Sequence, residues 1–227
     1  MTGIVDAGVL VVTGTDTGVG KTIVTAALAA RALASGRSVA VLKPAQTGTA
    51  AFEPGETSDV DTVARLAGPA VTCVTLADFP DPLAPLSAAQ VSGRPELYLA
   101  DALEAVAKLA EQHDLVLVEG AGGLLVPMGF DGWTIADLAI ALSAPAVVVA
   151  RAGLGTLNHT ALTLEAMRHR GIAGSVVIGA WPAEPDLVHE RNLIDLGVPI
   201  TGVLPEGAGQ LDHATFAARA PGWFGAG

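Results

Sequence analysis

The segment Gly14-Thr15-Asp16-Thr17-Gly18-Val19-Gly20-Lys21-Thr22 lies between an apolar run, Val9 to Val12, and a helix-like stretch, Thr22 to Ala34. A glycine-rich turn that leaves a strand and opens a helix narrows the choice of folds more than any other feature here. Glycines let the backbone curl until successive N–H groups point inward at phosphate oxygens, and the following helix N-terminus adds partial positive charge. In such a loop Thr17, Gly18, Val19 and Gly20 wrap the phosphates, Lys21 reaches the β- and γ-phosphates, and Thr22 presents its hydroxyl to Mg²⁺. The strict pattern places glycine six residues before the lysine. That place is Thr15, and the nearest glycine is Gly14, so the loop is a variant. The competing reading is a glycine-rich strand–helix turn that binds nothing. Chance seldom supplies GVGKT between a strand and a helix.

Around this loop, short β-branched runs alternate with amphipathic or alanine-rich segments. Strands are expected at 9–13, 38–42, 72–76, 114–118, 146–150, 175–178 and, more weakly, 200–204. Helices are expected at 22–34, 58–67, 96–112, 134–142, 157–170 and 186–196. Near-continuous apolar strands separated by helices indicate a mostly parallel sheet covered on both faces, the α/β architecture of a P-loop NTPase. Ligands in such sheets sit beyond the carboxyl ends of the strands. Residues 50–57 read as a mobile loop and 78–85 as a proline-rich connection. With no internal repeat or linker, one domain is expected across residues 1–227.

Composition restricts the partners. Charged residues are 15% against 51% hydrophobic, which describes a globular chain, and the net charge of −11 argues against nucleic acid or an anionic membrane as partner. A phosphorylated ligand must then be held by local lysines, N–H groups and metal. Cys73 is the only cysteine, so no intrachain disulfide forms, which suits a reducing cytoplasm. No apolar run approaches the roughly 20 residues of a membrane span, and no signal-peptide pattern precedes Lys21. A cytoplasmic location is expected.

Four further groups follow the strands. Lys43 opens Lys43-Pro44-Ala45-Gln46-Thr47-Gly48. Proline is expected to stop the strand there, leaving either a solvated lysine or one that stabilises a moving phosphoryl group. Glu119 closes the fourth strand before Gly120-Ala121-Gly122-Gly123, the position for a carboxylate that supports Mg²⁺ or for an ordinary strand-end charge. Ser58-Asp59 reads as a helix cap with a first-turn acid, or as a source of a second metal carboxylate, with Asp61 the competitor. Gly153-Leu154-Gly155-Thr156-Leu157-Asn158-His159 is a second glycine-rich helix start, able to receive an anion or to be capped by Thr156 or Asn158. The histidines show no zinc spacing, and no Gly-x-Ser-x-Gly elbow is present.

Taken together, GTDTGVGKT, KPAQTG, the Ser-Asp after a variable loop, VEGAGGLLVP and GLGTLNHTALT resemble the dethiobiotin synthetases over most of the chain. The resemblance implies a homodimeric ligase that joins CO₂ to 7,8-diaminopelargonate at the expense of a nucleoside triphosphate. It implies that Lys21 and Lys43 stabilise a carbamate and the transferring phosphoryl group, and that Thr22, Asp59 and Glu119 hold Mg²⁺. Thr17, Lys43, Thr47, Gly122 and Gly123 would meet the diamine end. Leu154, Gly155, Thr156 and Asn158 would receive the substrate carboxylate, supplied from the partner subunit. Glu119, Gly120, Ala121 and Gly122 would also border the nucleotide.

One departure concerns the base. Many members of that family read adenine with an asparagine after the sixth strand, whereas this chain has Gly179-Ala180-Trp181-Pro182-Ala183-Glu184-Pro185. Base recognition then falls to Trp181 and to backbone near Gly179, Ala180, Pro205, Glu206 and Gly207, and a preference relaxed from ATP or shifted toward a pyrimidine nucleotide such as CTP is expected. Trp181 as a core aromatic is the plainer alternative. Rival functions are a cobyrinate-type amide synthase, opposed by the short chain and isolated Cys73, and a nucleotide switch or partition-type ATPase. The latter carries a second lysine five residues before the loop lysine, and that position is Asp16.

Overall fold

The computed structural model describes residues 8–51 and 57–225. Fifteen main elements follow in chain order: β1 (Val9–Gly14), α1 (Lys21–Ala34), β2 (Val39–Gln46), α2 (Asp59–Ala67), β3 (Val71–Asp78), α3 (Pro85–Ser92), α4 (Leu99–Ala110), β4 (Leu115–Glu119), α5 (Ile135–Ala141), β5 (Ala146–Ala150), α6 (Thr156–His169), β6 (Gly174–Trp181), α7 (Leu187–Asp195), β7 (Ile200–Pro205) and α8 (His213–Arg219). The strands form one seven-stranded sheet in the order β3-β2-β4-β1-β5-β6-β7, and every named strand pair is parallel. From β1 the chain runs outward to β2 and β3, returns to β4, then crosses to β5, β6 and β7. That reversal opens a crevice beyond the carboxyl end of β1, where such sheets place their ligands.

Successive side chains of a strand point to opposite faces, so each central strand feeds two cores. Val11, Val116, Val118 and Val148 pack with residues of α3, α4, α5 and α6 on one face. Leu10, Val12, Leu117 and Val149 pack with α1, α2 and α8 on the other. β4 and β5 are buried along their whole length, which is why they read in the sequence as unbroken apolar runs rather than alternating ones.

The structure corrects three expectations about elements. Pro44 does not stop β2, which continues to Gln46. Pairing with β4 ends at Leu42↔Val118, while pairing with β3 continues through Lys43↔Thr75 and Ala45↔Ala77. Beyond Leu42 the strand is therefore an edge, where a residue without an N–H is tolerated. The proline-rich connection leads into α3, with Pro85 at its first turn, a position where the missing N–H costs nothing. α4 starts at Leu99 rather than at residue 96. The loop expected at 50–57 falls largely on residues 52–56, outside the described residues.

Candidate active site at the phosphate loop

Gly18 and Gly20 both have positive φ, 72° and 98°, a conformation that glycine alone adopts without strain. Gly20 precedes α1, so the loop delivers Lys21 and Thr22 at the helix N-terminus. Two more glycines hold the loop from outside. A Cβ at Gly179, near the end of β6, would lie 1.9 Å from the Val19 carbonyl oxygen, and one at Gly123 would lie 3.5 Å from that of Gly14. Gly179 thus serves as a seat for the loop backbone.

Thr22, Lys43, Asp59 and Glu119 converge at its mouth. Thr22 Oγ1 lies 3.0 Å from Asp59 Oδ1 and 2.9 Å from Glu119 Oε1, within donating distance of either. The Lys43 ammonium bridges the same two carboxylates, 2.5 Å from Asp59 Oδ2 and 3.0 Å from Glu119 Oε1, and also donates to the Gly120 carbonyl at 3.1 Å. Lys43 and Glu119 are buried. Burial alone would push the Lys43 pKa down, but Glu119 and then Asp59 outweigh it and raise it. Burial likewise opposes ionisation of Asp59, and the Lys43 charge more than compensates, leaving its pKa lowered. Lys21 has no such pairing. Its Nζ donates to the Asp16 carbonyl at 2.9 Å, and desolvation, then repulsion from Lys43, lowers its pKa to about 8.

The donor set suits Mg²⁺. Among the described residues no group of three His, Cys, Asp or Glu forms a metal centre; the site offers two carboxylates and a hydroxyl. That is the small complement expected of an ion that takes most of its ligands from phosphate and water. Glu119 Oε2 is buried without a hydrogen-bond partner, an acceptor left over for a cation.

These groups line a cavity of about 610 Å³ with Thr17, Gly18, Gly20, Lys21, Thr47, Ala121 and Gly122. Sequence reasoning missed part of its wall. Gln46 lines it, and its Oε1 accepts the Asp59 N–H at 3.1 Å, so the KPAQTG segment positions the carboxylate as well as supplying the lysine. Pro82, Leu83, Ala84 and Pro85 close another side. The available signal was their rigidity: two prolines within four residues lose little entropy on ordering.

Other expected residues lie elsewhere. Val19 is buried beneath the loop. Gly179 is buried against the Val19 and Gly20 backbone, and beyond it Trp181 pairs with Pro205 and its carbonyl accepts the Glu206 N–H at 2.7 Å; none of these residues, nor Ala180 or Gly207, lines the cavity. Trp181 packs partly against the core and edge-on to His189. Leu154 to Asn158 are also outside the cavity. Thr156 is fully buried with its Oγ1 3.4 Å from that of Thr160, so its hydroxyl faces the interior rather than a ligand. α6 is entered through Gly155 at φ 89° with no side-chain cap, which removes Thr156 and Asn158 as caps.

Comparison with known proteins identifies the family. Residues 8–211 match a family described as an AAA domain. The chain is 57% identical over 221 residues to the ATP-dependent dethiobiotin synthetase BioD of Rhodococcus jostii (strain RHA1), covering 95% of this chain and 94% of that one. It is 60% identical over 213 residues to the protein of the same description from Saccharopolyspora erythraea, covering 92% and 91%. The chain belongs to the dethiobiotin synthetase family. Among solved structures, the septum site-determining protein MinD with Mg-ADP from Pyrococcus horikoshii superposes with a TM-score of 0.58 at 16% identity, covering 94% of this chain and 90% of that one. A plasmid partition protein from Borrelia burgdorferi gives 0.58 at 10%, covering 96% and 97%. These two likenesses define the fold and nothing narrower.

Proposed function

We propose that the protein is a dethiobiotin synthase that closes the ureido ring of dethiobiotin from 7,8-diaminopelargonate and CO₂, converting a nucleoside triphosphate to diphosphate and phosphate. The observation that carries this reading is the convergence of Lys21, Thr22, Lys43, Asp59 and Glu119 on one cavity, in a chain whose full-length relatives carry that description.

One substrate amine becomes a carbamate, its oxygen attacks the γ-phosphorus, and the neighbouring amine attacks the resulting mixed anhydride and expels phosphate. Anionic charge accumulates in a small volume throughout, so preorganised positive charge is the main catalytic demand. Lys21 supplies it from the start of α1 and Lys43 from within β2. Lys43 is held as an ammonium by its two carboxylate partners, so its role is electrostatic. Thr22, Asp59 and Glu119 would hold Mg²⁺, which neutralises phosphate charge. Thr17, Thr47 and the backbone at Gly122 and Gly123 face the diamine end. Gln46 keeps Asp59 aimed into the cavity.

The base would be met by the surface formed by Ala180, Trp181 and Pro205–Gly207, next to Gly179, which is buried against the phosphate loop. This surface offers backbone groups and an indole, so discrimination between ATP and CTP would be weak. The substrate carboxylate would dock at the α6 start of a second copy in a homodimer. The exposure of Leu154, Leu157 and Leu162 around that start is consistent with a covered face. No helix among the described residues is long and apolar enough to cross a membrane, and a soluble cytoplasmic enzyme fits that.

The test supplies purified protein with 7,8-diaminopelargonate, bicarbonate and Mg²⁺, and in parallel ATP, CTP, GTP or UTP, with dethiobiotin read by mass spectrometry. Product with ATP is expected, with CTP comparable. Absence of product in every reaction from folded, nucleotide-binding protein overturns the assignment.

A further inference from the structure

Asp16 is a negative charge on a loop built to receive an anion. Its carbonyl and both carboxylate oxygens are engaged. Oδ1 accepts the Thr17 N–H at 2.8 Å, the carbonyl accepts Lys21 Nζ at 2.9 Å, and Oδ2 accepts Arg151 Nη2 at 2.7 Å. Arg151 is the first residue past β5. The same strand end already holds the loop, since the Thr15 N–H donates to the Val149 carbonyl at 3.0 Å. β5 therefore grips the phosphate loop twice, by main chain at Thr15 and by charge at Asp16.

Stability does not account for the second grip. The Arg151 and Asp16 side chains are 42% and 52% exposed, and an ion pair that wet contributes little to folding. Its effect falls on the ligand. The Asp16 carboxylate shares its residue with the carbonyl that seats Lys21, so an uncompensated charge there would oppose a triphosphate at short range. Arg151 Nε is buried without a partner, and Asp16 is the one ion-pair partner of Arg151 among the described residues.

We propose that Arg151 is a positioning residue of the phosphate loop. It acts through Asp16, cancelling a carboxylate charge that lies on the same residue as the carbonyl seating Lys21. A cation thereby reaches the loop from β5, although position 16 itself holds an aspartate. The proposal rests on the nucleotide-binding reading above and adds a residue to it.

An asymmetry follows. Loss of Arg151 should harm triphosphate binding, loss of the Asp16 charge should not, and loss of both should largely restore it. The experiment measures Mg-ATP affinity by titration calorimetry for the unsubstituted protein, Arg151→Ala, Asp16→Asn, the double variant and Arg151→Lys. Arg151→Ala should weaken binding about ten-fold at low salt, with the defect shrinking as salt screens it. Asp16→Asn and the double variant should stay within about three-fold of the unsubstituted protein, and Arg151→Lys should retain most of the affinity. Melting temperatures should be nearly unchanged throughout, which separates this role from a structural one. Unchanged affinity in Arg151→Ala, or a double variant as weak as Arg151→Ala alone, overturns the proposal. An unsubstituted protein that binds no Mg-ATP removes instead the nucleotide reading beneath it.

Discussion

At the scale of single residues the two lysines are opposites, and their removal should show it. Lys43 is a buried cation between two carboxylates. Lys43→Ala leaves Asp59 and Glu119 facing one another, and breaking a buried pair in this way costs about 3–5 kcal/mol. The variant should melt lower than the parent, and Mg²⁺ should raise its melting temperature more than it raises the parent's, because the ion replaces the missing charge. Lys21 is buried without a carboxylate partner, and its pKa falls from 10.5 to about 8. Below pH 8 it is charged in both folded and unfolded states, and the folded state bears a penalty of about 3 kcal/mol. Between pH 8 and 10.5 the unfolded chain binds more protons, so stability from this group rises with pH. Lys21→Met, without nucleotide, should therefore melt above the parent at pH 7, and the gap should narrow toward pH 10. Thermal melts across that range check both sign and window, while the same variant should lose nucleotide-induced stabilisation.

At the scale of elements, the site depends on how strands and helices end. α2 starts at Asp59 because Ser58 caps it, its Oγ accepting the Asp61 N–H at 3.2 Å, and Asp61 answers by accepting from the Ser58 hydroxyl at 2.6 Å. Asp61, the competitor for the metal role, is thus occupied by the cap, and Asp59 is left for the cavity. Ser58→Ala should cost about 1 kcal/mol, measured by chemical denaturation, and should raise the Mg²⁺ concentration needed for half-maximal turnover. Gly179→Ala should be harsher. A methyl group 1.9 Å from the Val19 oxygen must displace either β6 or the phosphate loop, and calorimetry should show nucleotide binding lost at a temperature where circular dichroism still reports a folded chain. Gly179 also marks a limit of sequence reading. Its place after a strand suggested contact with a base, but only the tertiary structure shows the loop backbone against it. Lys21, Thr22 and Glu119 were legible because each has a fixed place relative to the loop or strand that carries it. Gln46 and Arg151 were not, since their partners lie 13 and 135 residues away. α3 and α8 escaped notice for a different reason: short, alanine-containing helices at domain margins carry little periodicity.

At the scale of the whole molecule, the sheet was legible because burial on both faces removes polar residues from central strands. Ala146–Ala150 could be delimited from sequence alone, whereas β2 was cut short at Pro44 because edge tolerance depends on which neighbour has ended. The same two-sided burial makes adjacent residues strangers in packing. Val11 belongs with the α4 and α5 side, Val12 with the α1 side, and both are fully buried. Each truncation to alanine should cost about 1–3 kcal/mol. Their side chains share no neighbours across the sheet, so the double variant should lose the sum of the two within about 0.5 kcal/mol; denaturation curves of the three variants decide this. The sheet acts here as a bulkhead between two sealed compartments: one can be repacked while the other keeps the shape on which the phosphate loop stands.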